Sequence, residues 1–403
     1  MEKFINIEYR APHNTTELDD TIQCSIRAFG GSEHIQHLFV NIVEHDPWFD
    51  LNNTRACFVD GKAASVVQIF ERPMRIGNCV VRMGGVGSVG TDPSHLRAGY
   101  SSGVLRDSVR YMQAAGYDLS ILGTGVQSHY ARAGWVMHPT YSMELTLPPT
   151  LGEVPPDVTI ELCEPDRDMP MLRAIFDHFN ANRTGTFVKN AEYWTNRPKW
   201  RTYDPSLYWI AKQGGTTVAY LLAKQWEIGE FGYLPDAEQA MTALFYRFFH
   251  RAQAAGVQVI GAPAPAQSRK MFEGMGCSVR RRENNNAMFL ITNFGSLLRK
   301  IKPLLEMRLR DSDFSAWRGA IRVRYEAGEQ MLVIEDGALS IAHESVSPEI
   351  DLCVSQTQLL KLLFGNISAE QIVFSNGLRI NEIGLLDALF PAGELFMWRT
   401  DRF

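Results

Sequence analysis

Cysteine is scarce in this chain: there are six among 403 residues, at positions 24, 57, 79, 163, 277 and 353. They show neither the paired spacing of a disulfide framework nor that of metal ligands, so a reducing, cytoplasmic setting and no metal are expected. Long apolar runs are missing too. No stretch approaches the ~20 apolar residues of a membrane span, and the Met1 to Ile5 opening lacks secretory-leader character. Positive charge is not in excess either. A net charge of −5 argues against a phosphate-backbone partner, so no nucleic acid is expected, and Arg280-Arg281-Arg282 reads as a solvated turn before Glu283 and three asparagines. What the chain does have is 45% apolar residues, enough for two or three buried cores.

The most informative stretch runs from Val86 to Ser102. It reads as a strand that breaks at Asp92-Pro93 and re-forms as a helix through a small-residue turn. Val104, Leu105, Val109 and Met112 give that helix an apolar face, and Gly116 ends it. Backbone N–H groups at Gly99 to Ser102 would lack intrahelical partners, and with the helix dipole and Arg97 they could hold a pyrophosphate. Two other motifs overlap the stretch. Gly85 to Gly90 fits a dinucleotide fingerprint, but Asp-Pro follows where a helix should be running. Gly99 to Gly103 fits a nucleophile elbow, but Pro93 to Ala98 is too polar to be the buried strand that an elbow requires. A glycine-rich hairpin before an ordinary surface helix remains the bland alternative.

Proline-rich Leu147 to Pro156 reads as a linker, and a second boundary falls near Asn293 to Ser296. Three units follow: 1–149, 157–293 and 294–403. The first opens with a helix capped at Thr16, continues into a meander turning at Asp60-Gly61 and near Gly77-Asn78, and closes on a strand from Trp135 to Leu147. The second echoes it. Met112-Gln113-Ala114-Ala115-Gly116 returns as Ala252-Gln253-Ala254-Ala255-Gly256, and Gln127-Ser128 with Ala133-Gly134-Trp135 returns as Gln267-Ser268 with Met275-Gly276-Cys277. Two copies of one fold in tandem are therefore expected. The copies diverge where chemistry would sit, with Gln239 in the place of Gly99 and Phe272 in that of Tyr130. The third unit reads as α+β, with strands from Ala320, Met331 and Ala338, and a capping box at Ser355-Gln356-Thr357-Gln358.

On these residues the first unit resembles the GNAT acyltransferases. The chain as a whole resembles the Eis-type (enhanced intracellular survival) acetyltransferases, in which an active GNAT fold, a degenerate GNAT fold and a sterol-carrier-like domain follow one another. The resemblance implies an N-acetyltransferase that uses acetyl-CoA and an amine acceptor, assembled as a homo-oligomer, a hexamer in that family. It implies that Val89, Gly90 and Thr91 pair with the pantetheine arm. It also implies that the turn through Leu96, Arg97, Ala98, Gly99, Tyr100, Ser101 and Ser102 holds the pyrophosphate. Leu96 departs from the family, which usually opens this turn with a basic residue or glutamine.

The resemblance places the general acid on Tyr130, since a phenol of pKa ~10 can protonate a leaving thiolate when held close; the alternative is a helix residue with an exposed hydroxyl. It places the base on the terminal carboxylate of Phe403, otherwise a frayed tail. A carboxylate of pKa ~3.5 is a poor base unless burial raises it. The penultimate Arg402 stands where an acidic residue would favour polycationic acceptors. Between Glu33 and Asp50, where this fold admits the acceptor, Asp46, Trp48 and Phe49 are candidates for substrate binding, or else a core aromatic pair with its neighbour. A non-enzymatic binder of an apolar ligand, with the acyltransferase-like units as scaffold, is the competing reading.

Overall fold

The computed structural model describes residues 5–200, 204–342, 347–374 and 380–401. The first unit runs β1 (Ile7–Arg10), α1 (Thr15–Ala28), α2 (Glu33–His45), β2 (Thr54–Val59), β3 (Lys62–Ile76) and β4 (Cys79–Thr91). It continues with α3 (Tyr100–Ala114), β5 (Leu119–Gly123), α4 (Gln127–Ala131), β6 (Val136–Met137) and β7 (Thr140–Thr146). The second repeats this order. It comprises β8 (Thr159–Leu162), α5 (Pro165–Asn180), α6 (Ala191–Trp200), β9 (Tyr208–Gln213), β10 (Thr216–Lys224) and β11 (Glu227–Tyr233). Then come α7 (Glu238–Ala254), β12 (Val259–Pro263), α8 (Ala266–Gly274), β13 (Ser278–Asn284) and β14 (Ala287–Ile291).

The tandem is visible in matching hydrogen bonds. Tyr117 N donates to Met112 O as Val257 N does to Ala252 O, both at 2.9 Å, after glycines at φ +77° and +74°. Left-handed backbone of this kind favours glycine and stops both helices at the same place. Further on, Gly134 N donates to Ala131 O and Gly276 N to Glu273 O, while Trp135 N and Cys277 N bond back to Tyr130 O and Phe272 O. These bonds put Phe272 in the place of Tyr130.

Each copy builds a seven-stranded sheet, of order β1-β2-β3-β4-β5-β14-β6 in one and β13-β7-β12-β11-β10-β9-β8 in the other. The last strand of each copy therefore lies in the other copy's sheet. This corrects the expected single strand from Trp135 to Leu147: β6 stays with its own sheet and β7 pairs with β12 and β13. Proline lacks the N–H a ladder needs, so the chain breaks at Pro139 and crosses over. The linker at 148–156 consequently does not part the two sheets. Arg280-Arg281-Arg282 lies within β13 instead of forming a solvated turn; its register against β7 is continuous, and Arg281 stacks on Tyr141 with 3.6 Å from guanidinium carbon to ring centroid. The first helix is capped two residues earlier than expected, because the Asn14 side chain accepts from Glu17 N.

The third unit consists of α9 (Phe294–Arg310), β15 (Gly319–Tyr325), β16 (Gly328–Glu335), β17 (Ala338–Ala342), β18 (Ile350–Cys353), α10 (Gln356–Leu363), α11 (Ala369–Val373) and α12 (Ile380–Leu389). Asn293, at the expected boundary, caps α9. Leu297, Ile301 and Leu305 of that helix are buried with Met74, Val81, Met83 and Phe289 of the first sheet, so the third unit shares a core with the first. Tandem GNAT-like folds followed by an α+β domain describe the molecule. Among the described residues no helix is long and apolar enough to cross a membrane.

Candidate active site

Strand β4 carries the site because it changes partners along its length. It pairs with β3 from end to end, but with β5 only over Met83 to Val86. Beyond Val86 the two parallel strands part, and the edge from Gly87 to Val89 lines a cavity. A bulge helps to bend the strand away. The register against β3 shifts between Val66 and Gln68, opposite Ser88, whose φ of +51° is left-handed backbone at a non-glycine residue. Gly90 is required for a different reason: a Cβ there would stand 2.8 Å from Ala28 Cβ of α1.

After β4 the chain makes a short turn, Pro93–His95, anchored by Asp92, whose carboxylate accepts from Ser94 N and Oγ. Leu96, Arg97, Ala98 and Gly99 are exposed. Gly99 is left-handed at φ +81° and provides no side-chain cap to α3. The first intrahelical bond is Gly103 N to Gly99 O, so the N–H groups of Tyr100, Ser101 and Ser102 lack acceptors in the helix. An uncapped helix start next to an exposed arginine is a fitting receptor for a pyrophosphate. Gly103 lets α3 approach β1, since a Cβ there would lie 2.2 Å from the Tyr9 ring. Ser101 Oγ also lies 2.9 Å from His129 Nε2.

The cavity, about 740 Å³, brings together Val89 of β4, Gly123 and Thr124 at the end of β5, Tyr130 of α4, and Met397, Trp398, Arg399 and Asp401 of the C-terminal segment. Tyr130 is half-buried, edge-on to Trp135 with ring centroids 6.5 Å apart. Burial pushes its phenol up and a hydrogen bond with Thr124 partly offsets this, so the hydroxyl keeps its proton at neutral pH. Burial pushes the neighbouring His129 down, leaving it neutral.

Asp46, Trp48 and Phe49 are absent from this lining. Asp46 is buried and engaged by Arg72, Oδ2 to Nη2 at 2.6 Å and Oδ1 to Nη1 at 3.1 Å, and it also accepts from Trp48 N. Trp48 packs on Tyr193 at 5.5 Å and under Arg72. The Asp46 carboxylate is thus paired with Arg72 and stands apart from the cavity that holds Tyr130. Phe403 and Arg402 lie outside the described residues, although Asp401 lines the cavity.

The lining also includes residues that sequence reasoning did not single out, namely Tyr141 and Ser142 from β7, Asn284 from β13 and Asn286. They arrive through the strand exchange, which no local pattern announces.

The family model of the acetyltransferase (GNAT) domain matches residues 8–137. The whole chain is similar in fold to a probable N-acyltransferase of Enterococcus faecalis, with TM-score 0.73, 15% identity and 100% of both chains covered. A GCN5-related N-acetyltransferase of Anabaena variabilis gives a TM-score of 0.71 at 15% identity over 99% of this chain and 100% of that one. Eis1 of Mycobacterium abscessus gives 0.64 at 13% identity over 99% and 100%. At these identities the likeness is one of fold. No curated protein matches the sequence.

Proposed function

We propose that the chain is an acyltransferase, residues 8–137 matching the GNAT acetyltransferase domain, and that it moves an acetyl group from acetyl-CoA to an amine at the cavity between β4 and β5. The observation that carries this reading is the convergence of the unpaired β4 edge, the Tyr130 hydroxyl and the C-terminal segment on one cavity. Val89, Gly90 and Thr91 would pair with the pantetheine arm, and the turn from Leu96 to Ser102 would hold the pyrophosphate.

In this reading the amine nitrogen attacks the thioester carbonyl, forming the C–N bond. Backbone N–H groups of the β4 edge stabilise the oxyanion. The intermediate collapses, the C–S bond breaks, and Tyr130 gives its proton to the departing thiolate. The proton lost from nitrogen passes, in this reading, to the carboxylate of Phe403, which lies outside the described residues. Asp401 supports this assignment, since it lines the cavity two residues before Phe403.

The second copy is degenerate in this account, because Phe272 is buried against Phe245 at 4.8 Å and offers no hydroxyl. We read the third unit as sterol-carrier-like from its resemblance. Its interior is filled by Ile321, Leu332, Leu360 and Leu386, all buried, which supports a structural role.

The test is acetyl-CoA-dependent thiol release with a panel of primary amines, run on the chain as it stands and on one extended by a few residues past Phe403. The extension turns the carboxylate into an amide; turnover should vanish while acetyl-CoA affinity persists. Equal turnover in both would remove Phe403 from the mechanism.

A further inference from the structure

Four charged side chains are buried together in the second unit: Lys189 at 1% exposure, Arg197 at 2%, Glu230 at 0% and Asp401 at 4%. Lys189 Nζ lies 2.8 Å from Glu230 Oε2 and 2.7 Å from Asp401 Oδ1. Arg197 grips Glu230 with both terminal nitrogens, at 2.9 and 3.0 Å. Tyr220 OH donates to Glu230 Oε1 at 3.0 Å, and the Thr400 hydroxyl donates to Oε2. Burial would raise the Glu230 carboxyl, but Arg197 and Lys189 outweigh it and hold the group ionised.

Charge counting shows what Asp401 does. Without it, the cluster holds two cations and one anion in an apolar surrounding that includes Phe176, whose ring centroid is 4.1 Å from Lys189 Nζ. An uncompensated buried charge is strongly unfavourable, and a paired, charge-balanced set costs far less. Asp401, supplied by a segment about 170 residues further along the chain, brings the count to two and two. The same segment is fixed by Phe396 N donating to Thr184 O at 2.9 Å and by Trp398 Nε1 donating to Asn180 Oδ1 at 3.0 Å.

The place of Glu230 in the fold is informative. Leu234 N donates to Val218 O as Asp92 N does to Ala64 O, both at 2.9 Å. This sets Gly232 in the position of Gly90, with Glu230 two residues before it on the same strand. Both glycines serve close helix packing, a Cβ on Gly232 falling 3.2 Å from Ile175 of α5. Where the first copy opens its strand to a cavity, the second presents a buried carboxylate that collects cations.

We infer that this cluster is a latch: Lys189, Arg197 and Glu230 of the degenerate copy form a cationic receptor that draws Asp401 in and so positions the C-terminal segment in the cavity of the first copy. Lys189 and Asp401 are positioning residues, acting through the segment. The consequence for turnover rests on the proposed function; the docking itself does not.

The experiment is a double-mutant cycle on the full chain, with Asp401→Asn, Lys189→Met and the pair together, read by hydrogen exchange of the segment from Leu395 to Asp401. Asp401→Asn leaves one excess positive charge and Lys189→Met one excess negative charge, so each should speed exchange by ~10-fold or more. The double variant is neutral again, and exchange should return to within ~3-fold of the unaltered chain. Thr400→Val, which keeps the charge count, should change exchange much less than either single variant and serves if one of them fails to fold. Single variants that exchange like the unaltered chain, or a double variant worse than both, would overturn the latch. Turnover is measured alongside: kcat should fall in the single variants and recover in the double, with acetyl-CoA affinity constant. Exchange that follows the cycle while kcat does not move would leave the latch standing and count against the role given to the C-terminal segment in the proposed function.

Discussion

Replacing Trp398 by alanine should release the C-terminal segment from the cavity. Trp398 is 1% exposed, with its ring edge-on to Phe396 at 4.7 Å and to Phe231 at 5.1 Å, and 6.2 Å from Phe179. Truncating a buried aromatic side chain to alanine costs about 3–5 kcal/mol. The loss includes the indole bond to Asn180, whose carbonyl oxygen would be left buried without it. At about 1.4 kcal/mol per factor of ten, the lower end of that range already shifts docking by ~10²-fold. Trp398→Phe keeps an aromatic ring in the site and loses chiefly the hydrogen bond, which costs about 1–2 kcal/mol, or roughly tenfold. The assay is hydrogen exchange of the segment together with amine acetylation at saturating acetyl-CoA. Exchange should accelerate and kcat fall in the order Phe then Ala, with acetyl-CoA affinity held. A Trp398→Ala variant with unchanged segment exchange and unchanged kcat would refute the reasoning.

Gly99→Glu places a charged side chain on left-handed backbone at the uncapped start of α3. No atom lies within 4 Å of the added Cβ, so the fold should survive and calorimetry should show the single acetyl-CoA site abolished; retained binding would move the pyrophosphate elsewhere. Lys300→Met removes the half-exposed cation 2.5 Å from the buried Asp118 carboxylate, which keeps its bond from Arg82 N, and should lower stability by about 1 kcal/mol in urea unfolding, loosening the third unit from the first. His138 is fully buried and pushed down to about 4, chiefly by burial. Below pH ~6.5 the unfolded chain takes up a proton that the folded imidazole refuses, so stability is intact above that pH and drains away, by about 3 kcal/mol, as the pH falls towards 4. His138→Phe should flatten that slope, and an unaltered slope would assign it to other groups.

Much of the fold was legible because it is written in local chemistry. Gly99, Gly116 and Gly256 mark backbone that only glycine adopts readily, the Asp60-Gly61 and Gly77-Asn78 turns set the meander, and Ser355 with Gln358 forms the expected capping box. The strand exchange was not legible. The segments of β7 and β14 would suit either sheet, and only the break at Pro139 hints that the chain crosses over. The pairing of Asp46 was not legible for a related reason: its partner Arg72 lies 26 residues away, on a strand whose facing cannot be judged without its register. The latch is still less visible, because Lys189, Glu230 and Asp401 have no sequence relation until the sheet brings them together.

The central claim is that the first copy alone transfers the acetyl group, with Tyr130 as proton donor, and single-turnover thiol release tests it most directly. Tyr130→Phe should bind acetyl-CoA as before yet release thiol ~10²-fold more slowly with the best amine. Phe272→Tyr, which buries a hydroxyl in the second copy, should reduce stability without altering the rate. Full activity in Tyr130→Phe, or loss of activity in a stably folded Phe272→Tyr, would contradict the account.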